Sequence, residues 1–170
     1  LSMLVSLVLA RLLAPAEFGT FALLSLFTGV AGAFADSGLS LALFRQPDAS
    51  HEQTCSVFWL NVAAGALVTA LLGALAPLIA AFYAQPVLRP LTQVLAAGVF
   101  IQALGSIHTT LLARRLDFKA QMKVGGFANV AGGLAAVALA LGDHGIWALA
   151  AQSIVTTSAT TLLLWLSSSW

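Results

Sequence analysis

The chain has 170 residues, 60% hydrophobic and only 8% Asp, Glu, Lys or Arg, with a formal net charge of +1 and a mean hydropathy of +0.98. A water-soluble domain carries about 25% charged residues to keep its surface wet, so this composition excludes one and places most of the surface against lipid. The near-zero net charge provides no basic face for nucleic acid, and the single cysteine, Cys55, excludes an internal disulfide and a cysteine metal cluster.

The few charges leave neutral runs at 53–88, 90–113, 124–142 and 144–170. Each is long enough to cross a hydrocarbon core, which takes about 20 residues of α-helix. Residues 18–44 form a further span interrupted by Asp36 alone. The expected fold class is therefore all-α integral membrane, with about six transmembrane helices. A transmembrane barrel would need polar residues at every second position, and runs such as LVTALLGALAPLIAAF do not alternate.

In chain order, the first apolar stretch, 1–13, begins with Leu1 and is too short to span. It is expected to be the outer end of a truncated first helix. A signal-peptide core is disfavoured because no basic segment precedes LVSLVLA and Arg11 follows at once. Trp170 falls in or just beyond a span, so the C-terminus also reads as cut. The second helix is expected over 18–44, after a turn at Pro15 and Glu17. An ionised carboxylate at a helix centre costs roughly 2.5–3.5 kcal/mol on insertion scales, which singles out Asp36. Two readings stay open for it: a cap or local pair at a break beside Ser37 and Gly38, or a ligand or proton-carrying role.

The third helix, 54–83, has Ala66, Ala70 and Ala74 on one line with Gly65, Thr69 and Gly73 beside it, the small-residue spacing that lets helices approach in lipid. Pro77 permits a bend within it. The fourth, 91–113, follows Arg89 and Pro90. On it Gly98, Gln102, Gly105 and Thr109 share a narrow sector, with His108 to one side. The fifth, 123–141, repeats Gly125-Gly126 as Gly132-Gly133, and on the sixth, 146–165, Ser153, Thr157 and Thr160 share a sector. These polar stripes are suited to line a water-filled cavity for sugar hydroxyls. Interhelical hydrogen bonding, or bonding of Ser and Thr back to their own helix, is the other reading, favoured for the Ser/Thr stripe and evenly balanced for Gln102.

Positive residues are retained on the cytoplasmic side of short loops. Arg114, Arg115, Lys119 and Lys123 place the fourth-to-fifth connection inside. Alternating crossings then put Arg45 inside as well, leave Arg11 and Arg89 outside, and make the N-terminus cytoplasmic. No catalytic constellation is present in the sequence: there is no glycine-rich phosphate loop with a lysine, no HExxH, no CxxC and no intramembrane acid pair. No enzyme activity, cofactor or metal is expected.

The run LARLLAPAEFGTFALLSLFTGVAGAFADSGLSLALFRQ, 9–46, resembles the opening of the polysaccharide-unit (O-antigen and colanic-acid type, Wzx-like) flippases of the multidrug/oligosaccharidyl-lipid/polysaccharide exporter superfamily. Arg11, Pro15, Glu17, Phe18, Gly19, Asp36, Gly38, Leu39 and Ser40 match that pattern, and Ala14 departs from a frequent glycine. The segment LLARRLDFKAQMK, 111–123, resembles a connection in the colanic-acid-type members. The resemblance implies one lobe of a two-lobe transporter of twelve or more helices, with a C-terminal lobe beyond this chain. It implies alternating access in a bacterial inner membrane, turning over lipid-linked (polyprenyl-pyrophosphate) sugar repeat units. It also suggests basic residues that meet the pyrophosphate. Arg11, Asp36, Arg89, Gln102 and His108 are the candidates for substrate binding or coupling. A drug/cation antiporter of the same superfamily is the alternative. A membrane-bound polysaccharide polymerase is a further one, and it should carry a large external loop that this chain lacks.

Overall fold

The computed structural model describes residues 15–36, 51–114, 118–142 and 144–167. Arg11, the expected first helix at 1–13 and the expected end of the second at 37–44 lie outside them. Among the described residues there are five helices and no strand: α1 (Pro15–Asp36), α2 (His51–Phe82), α3 (Leu88–Arg114), α4 (Phe118–Leu141) and α5 (Ile146–Ser167). All five are long and apolar enough to cross a membrane.

The helix ends follow local chemistry, and several differ from the sequence expectation. α1 starts at Pro15 rather than 18, because proline is preorganised for the first helical position and Glu17 favours the positive end of the helix. α4 starts at Phe118 rather than 123, so part of the basic segment expected as a turn is helical. Pro90 sits within the first turn of α3, where no backbone donor is required. α2 closes with Gln85 N–H donating to Ala80 C=O at 3.0 Å and Ala84 N–H donating to Ala81 C=O at 3.2 Å, and Ala84 takes φ 51°. That pairing satisfies the last carbonyls of α2 and turns the chain directly into α3.

Two antiparallel hairpins, α2–α3 and α4–α5, are joined along α3 and α5, and α1 lies across α2, α3 and the start of α5. Lipid-facing positions are large, including Leu67, Leu71, Phe82 and Leu166, whereas the buried positions are rich in alanine, such as Ala76, Ala96, Ala103, Ala128 and Ala136. Hydrophobicity cannot separate inside from outside when the solvent is itself hydrocarbon, so close backbone approach and interhelical hydrogen bonds hold the bundle. α3 receives several of those bonds. Thr69 Oγ1 of α2 donates to Ala96 C=O at 3.0 Å, and from α5 Thr161 Oγ1 donates to Ile101 C=O and Trp165 Nε1 to Leu104 C=O, each at 3.1 Å.

The alanine line on α2 is corrected by the structure: Ala66, Ala70 and Ala74 face outward, and the packing line beside them carries Gly65, against Ala103 of α3. At the end of the bundle holding Gln85 and Gly145, Leu24, Leu88, Leu91, Leu95, Ile146 and Ala150 form a tight apolar layer. The opposite end carries Lys119 and Lys123.

Candidate functional site

Below the apolar layer, toward the basic end, the helices enclose an open cleft of about 620 Å³. Thr28, Gly29, Gly32, Ala33 and Ala35 of α1 form one wall, and Thr156, Thr157, Thr160 and Thr161 of α5 the other. Gln102, Gly105, Ser106, Thr109 and Thr110 of α3 make the back, with Asn61 of α2 behind them. Every one of these side chains is uncharged.

The hydroxyl groups have a consistent orientation. Thr28 donates to Leu24 C=O at 3.0 Å, Thr109 to Gly105 C=O at 3.3 Å, Thr110 to Ser106 C=O at 3.1 Å and Thr160 to Thr156 C=O at 2.7 Å. Ser106 donates to Ala103 C=O at 3.0 Å and accepts from Asn61 Nδ2 at 3.2 Å. These four threonine protons are thus committed to backbone carbonyls one turn back and that of Thr161 to Ile101 C=O of α3, while each oxygen keeps lone pairs for another partner. Of the two polar stripes, Thr109 and Thr160 bond back to their own helix and also line the cleft. Glycine makes the room, since a Cβ at Gly105 would come within 2.9 Å of Thr161 Oγ1.

Of the candidates named from sequence, Gln102 lies in the cleft wall, with Gly105 and Thr109 of its stripe. His108 lies elsewhere: it is 2% exposed and packs in the α3–α5 contact, its ring centroid 5.2 Å from that of Trp165. Arg89 is exposed in the first turn of α3, level with the apolar layer and outside the described lining of the cleft. Asp36 closes α1 next to Ala35, its side chain outside the described atoms, and Arg11 is outside them altogether. On α5, Thr157 and Thr160 line the cleft but Ser153 does not; Thr156 and Thr161 take part instead. Asn61 and Thr28 were missed. A lone Asn in an apolar span is costly for the same reason as Asp36, and that signal pointed to Asn61. Among the described residues no group of His, Cys, Asp or Glu is arranged to hold a metal ion.

Five helices long and apolar enough to span a membrane, packed through small residues around a polar cleft, define a multi-pass α-helical membrane protein. The chain belongs to the polysaccharide biosynthesis protein family, whose model matches residues 8–170. It is 31% identical over 149 residues to the succinoglycan biosynthesis transport protein ExoT of Rhizobium meliloti, covering 88% of this chain and 30% of that protein. It is also 31% identical over 131 residues to the teichuronic acid biosynthesis protein TuaB of Bacillus subtilis, 76% of this chain and 27% of that one. With the lipopolysaccharide biosynthesis protein WzxC of Escherichia coli it shares 26% identity over 111 residues, 65% of this chain and 23% of the relative. The chain thus spans less than a third of the length of these relatives. No solved structure matches it significantly.

Proposed function

We propose that this chain forms one membrane lobe of a transporter that turns lipid-linked sugar repeat units across a bacterial inner membrane. The observation that carries the reading is the cleft: about 620 Å³, lined among the described residues by uncharged side chains, with the protons of Thr28, Thr109, Thr110, Thr160 and Thr161 already engaged. Such a surface accepts hydrogen bonds from sugar hydroxyls, and Gln102 adds an amide able both to donate and to accept. The names of the relatives, which concern succinoglycan transport, teichuronic acid and lipopolysaccharide, support a polysaccharide-related cargo. With the basic end in the cytoplasm by the positive-inside rule, the cleft lies in the cytoplasmic half of the span and the apolar layer seals the outer half. The reading makes the protein a carrier rather than an enzyme, with the polyprenyl-pyrophosphate-linked unit as its partner and a second lobe completing the cavity.

The test is surface polymer per unit of intact transporter in a strain lacking its own copy, comparing Gln102→Leu and Thr157→Val with wild type. Both variants remove cleft hydrogen bonding at nearly constant volume. Export should fall several-fold at unchanged abundance, and lipid-linked units should accumulate. Wild-type export by the double variant would remove the cleft as the sugar site.

A further inference from the structure

A second groove lies at the basic end, between the start of α4 and the end of α5. It has a volume of about 330 Å³ and is lined by Lys119, Lys123, Val124, Phe127, Leu163 and Ser167. Lys119, Lys123 and Phe127 recur every fourth residue, so they form one stripe on α4, and all three are exposed, Phe127 by 69%. Val124 is buried against Leu112 and Leu164, which gives the groove a fixed floor.

The order of chemistry along the stripe follows the depth profile of a lipid. Lys119 stands at the membrane boundary of its span, which runs over Lys119–Leu141. Phe127 lies about 12 Å further in at the rise of an α-helix, the distance from a headgroup phosphate into the upper acyl chain. Two lysines in the opening turns of a helix also reinforce the positive potential of its N-terminus instead of offsetting it, so the site has an electrostatic demand for an anion. Ser167 supplies a hydroxyl at the rim.

We propose that this groove binds an anionic phospholipid of the surrounding bilayer, its phosphate between Lys119 and Lys123 and one acyl chain over Val124, Phe127 and Leu163. Bound there, the lipid bridges the start of α4 and the end of α5. Basic pockets between transmembrane helices on the cytoplasmic side are a known form of lipid headgroup site. The occupant is part of the membrane and not the cargo, so the proposal stands whether or not the cleft holds sugar.

The experiment uses the intact protein in phosphatidylcholine nanodiscs containing a minor fraction of photoactivatable phosphatidylglycerol, with labelled peptides located by mass spectrometry. Label is expected on the peptides carrying Phe127 and Leu163. It should fall about fivefold for each of Lys119→Gln and Lys123→Gln, and persist in the double Lys→Arg variant. A thermal melt of each variant checks folding, and the Arg variant keeps the test decisive if Gln unfolds the helix end. Equal labelling of the Gln variants, or equal labelling by photoactivatable phosphatidylcholine, overturns the site. Displacement of the label by an equimolar polyprenyl pyrophosphate, with no displacement by unlabelled phosphatidylglycerol, assigns the groove to the cargo lipid and overturns the phospholipid assignment.

Discussion

The carboxylate of Glu17 on α1 occupies the space that a side chain would need at Gly145, the residue that leads into α5. Gly145 has φ 51°, a left-handed conformation that glycine adopts without cost. Two constraints therefore meet at one position, and the Glu17 charge lies at the positive end of α5. The contact ties the start of α1 to the α4–α5 turn on the sealed side of the bundle.

Gly145→Ala should consequently lower stability by about 2–3 kcal/mol, through backbone strain and collision with Glu17. Combining it with Glu17→Ala should recover the steric part alone, leaving about 1 kcal/mol of strain. Thermal unfolding of the four proteins of this cycle measures both parts, and strict additivity of the single changes would show that the two residues do not meet.

The glycine pairs of α4 should behave differently from each other. A Cβ at Gly132 would meet Thr156 Oγ1 and come within 2.9 Å of the Gln152 carbonyl, whereas a Cβ at Gly125 or Gly126 meets nothing within 4 Å. Gly132→Ala should cost about 1–3 kcal/mol by wedging α4 from α5. Gly125→Ala should be neutral or stabilise by up to about 1 kcal/mol, because it removes a flexible residue from a helix. Melting temperatures of the two variants decide the matter.

Ala84 offers the opposite opportunity. It closes α2 in the left-handed region without being glycine. Ala84→Gly should raise stability by roughly 0.5–1 kcal/mol, read as a higher melting temperature. An unchanged or lower value would mean that Ala84 does not hold this conformation in the membrane.

Orientation is open to thiol labelling. His144 and Lys119 are both exposed and lie at opposite ends of α4. With Cys55 replaced by Ala, His144→Cys should react with an impermeant reagent added outside intact cells, and Lys119→Cys only after permeabilisation. The reverse pattern would invert the bundle and turn the cleft outward.

The charged candidates separate by position. Arg89 is exposed on the outer face of α3 and is not in the described cleft lining, so Arg89→Gln should leave export per transporter within about twofold of wild type, as surface substitutions usually do. Asp36 adjoins the cleft residue Ala35, and Asp36→Asn should reduce export strongly at normal abundance if the charge acts in coupling. Near-normal export by the Asn variant would leave Asp36 as local architecture at the end of α1.

The membrane class, the positions of the described spans and the residue types of the cleft were legible in the sequence, because a bilayer imposes rules that act locally. A span must be apolar over a fixed length, its backbone must pair within its own helix, and each polar side chain inside it stands out against the hydrocarbon. The runs between charges therefore mark α2 to α5, and Gln102, Thr109, Thr157 and Thr160 mark the cleft. Which faces meet was decided only by the tertiary structure. In lipid an outward leucine and an inward alanine are both apolar, so no amphipathic contrast orients a helix about its axis. Ala66, Ala70 and Ala74 thus read as a packing line yet face outward, and Gly132 and Gly125 look equivalent although only Gly132 is crossed closely by α5. For the same reason His108 reads as a neighbour of the polar stripe, and the rotation of α3 against α5 sets it beside Trp165 instead of in the cleft.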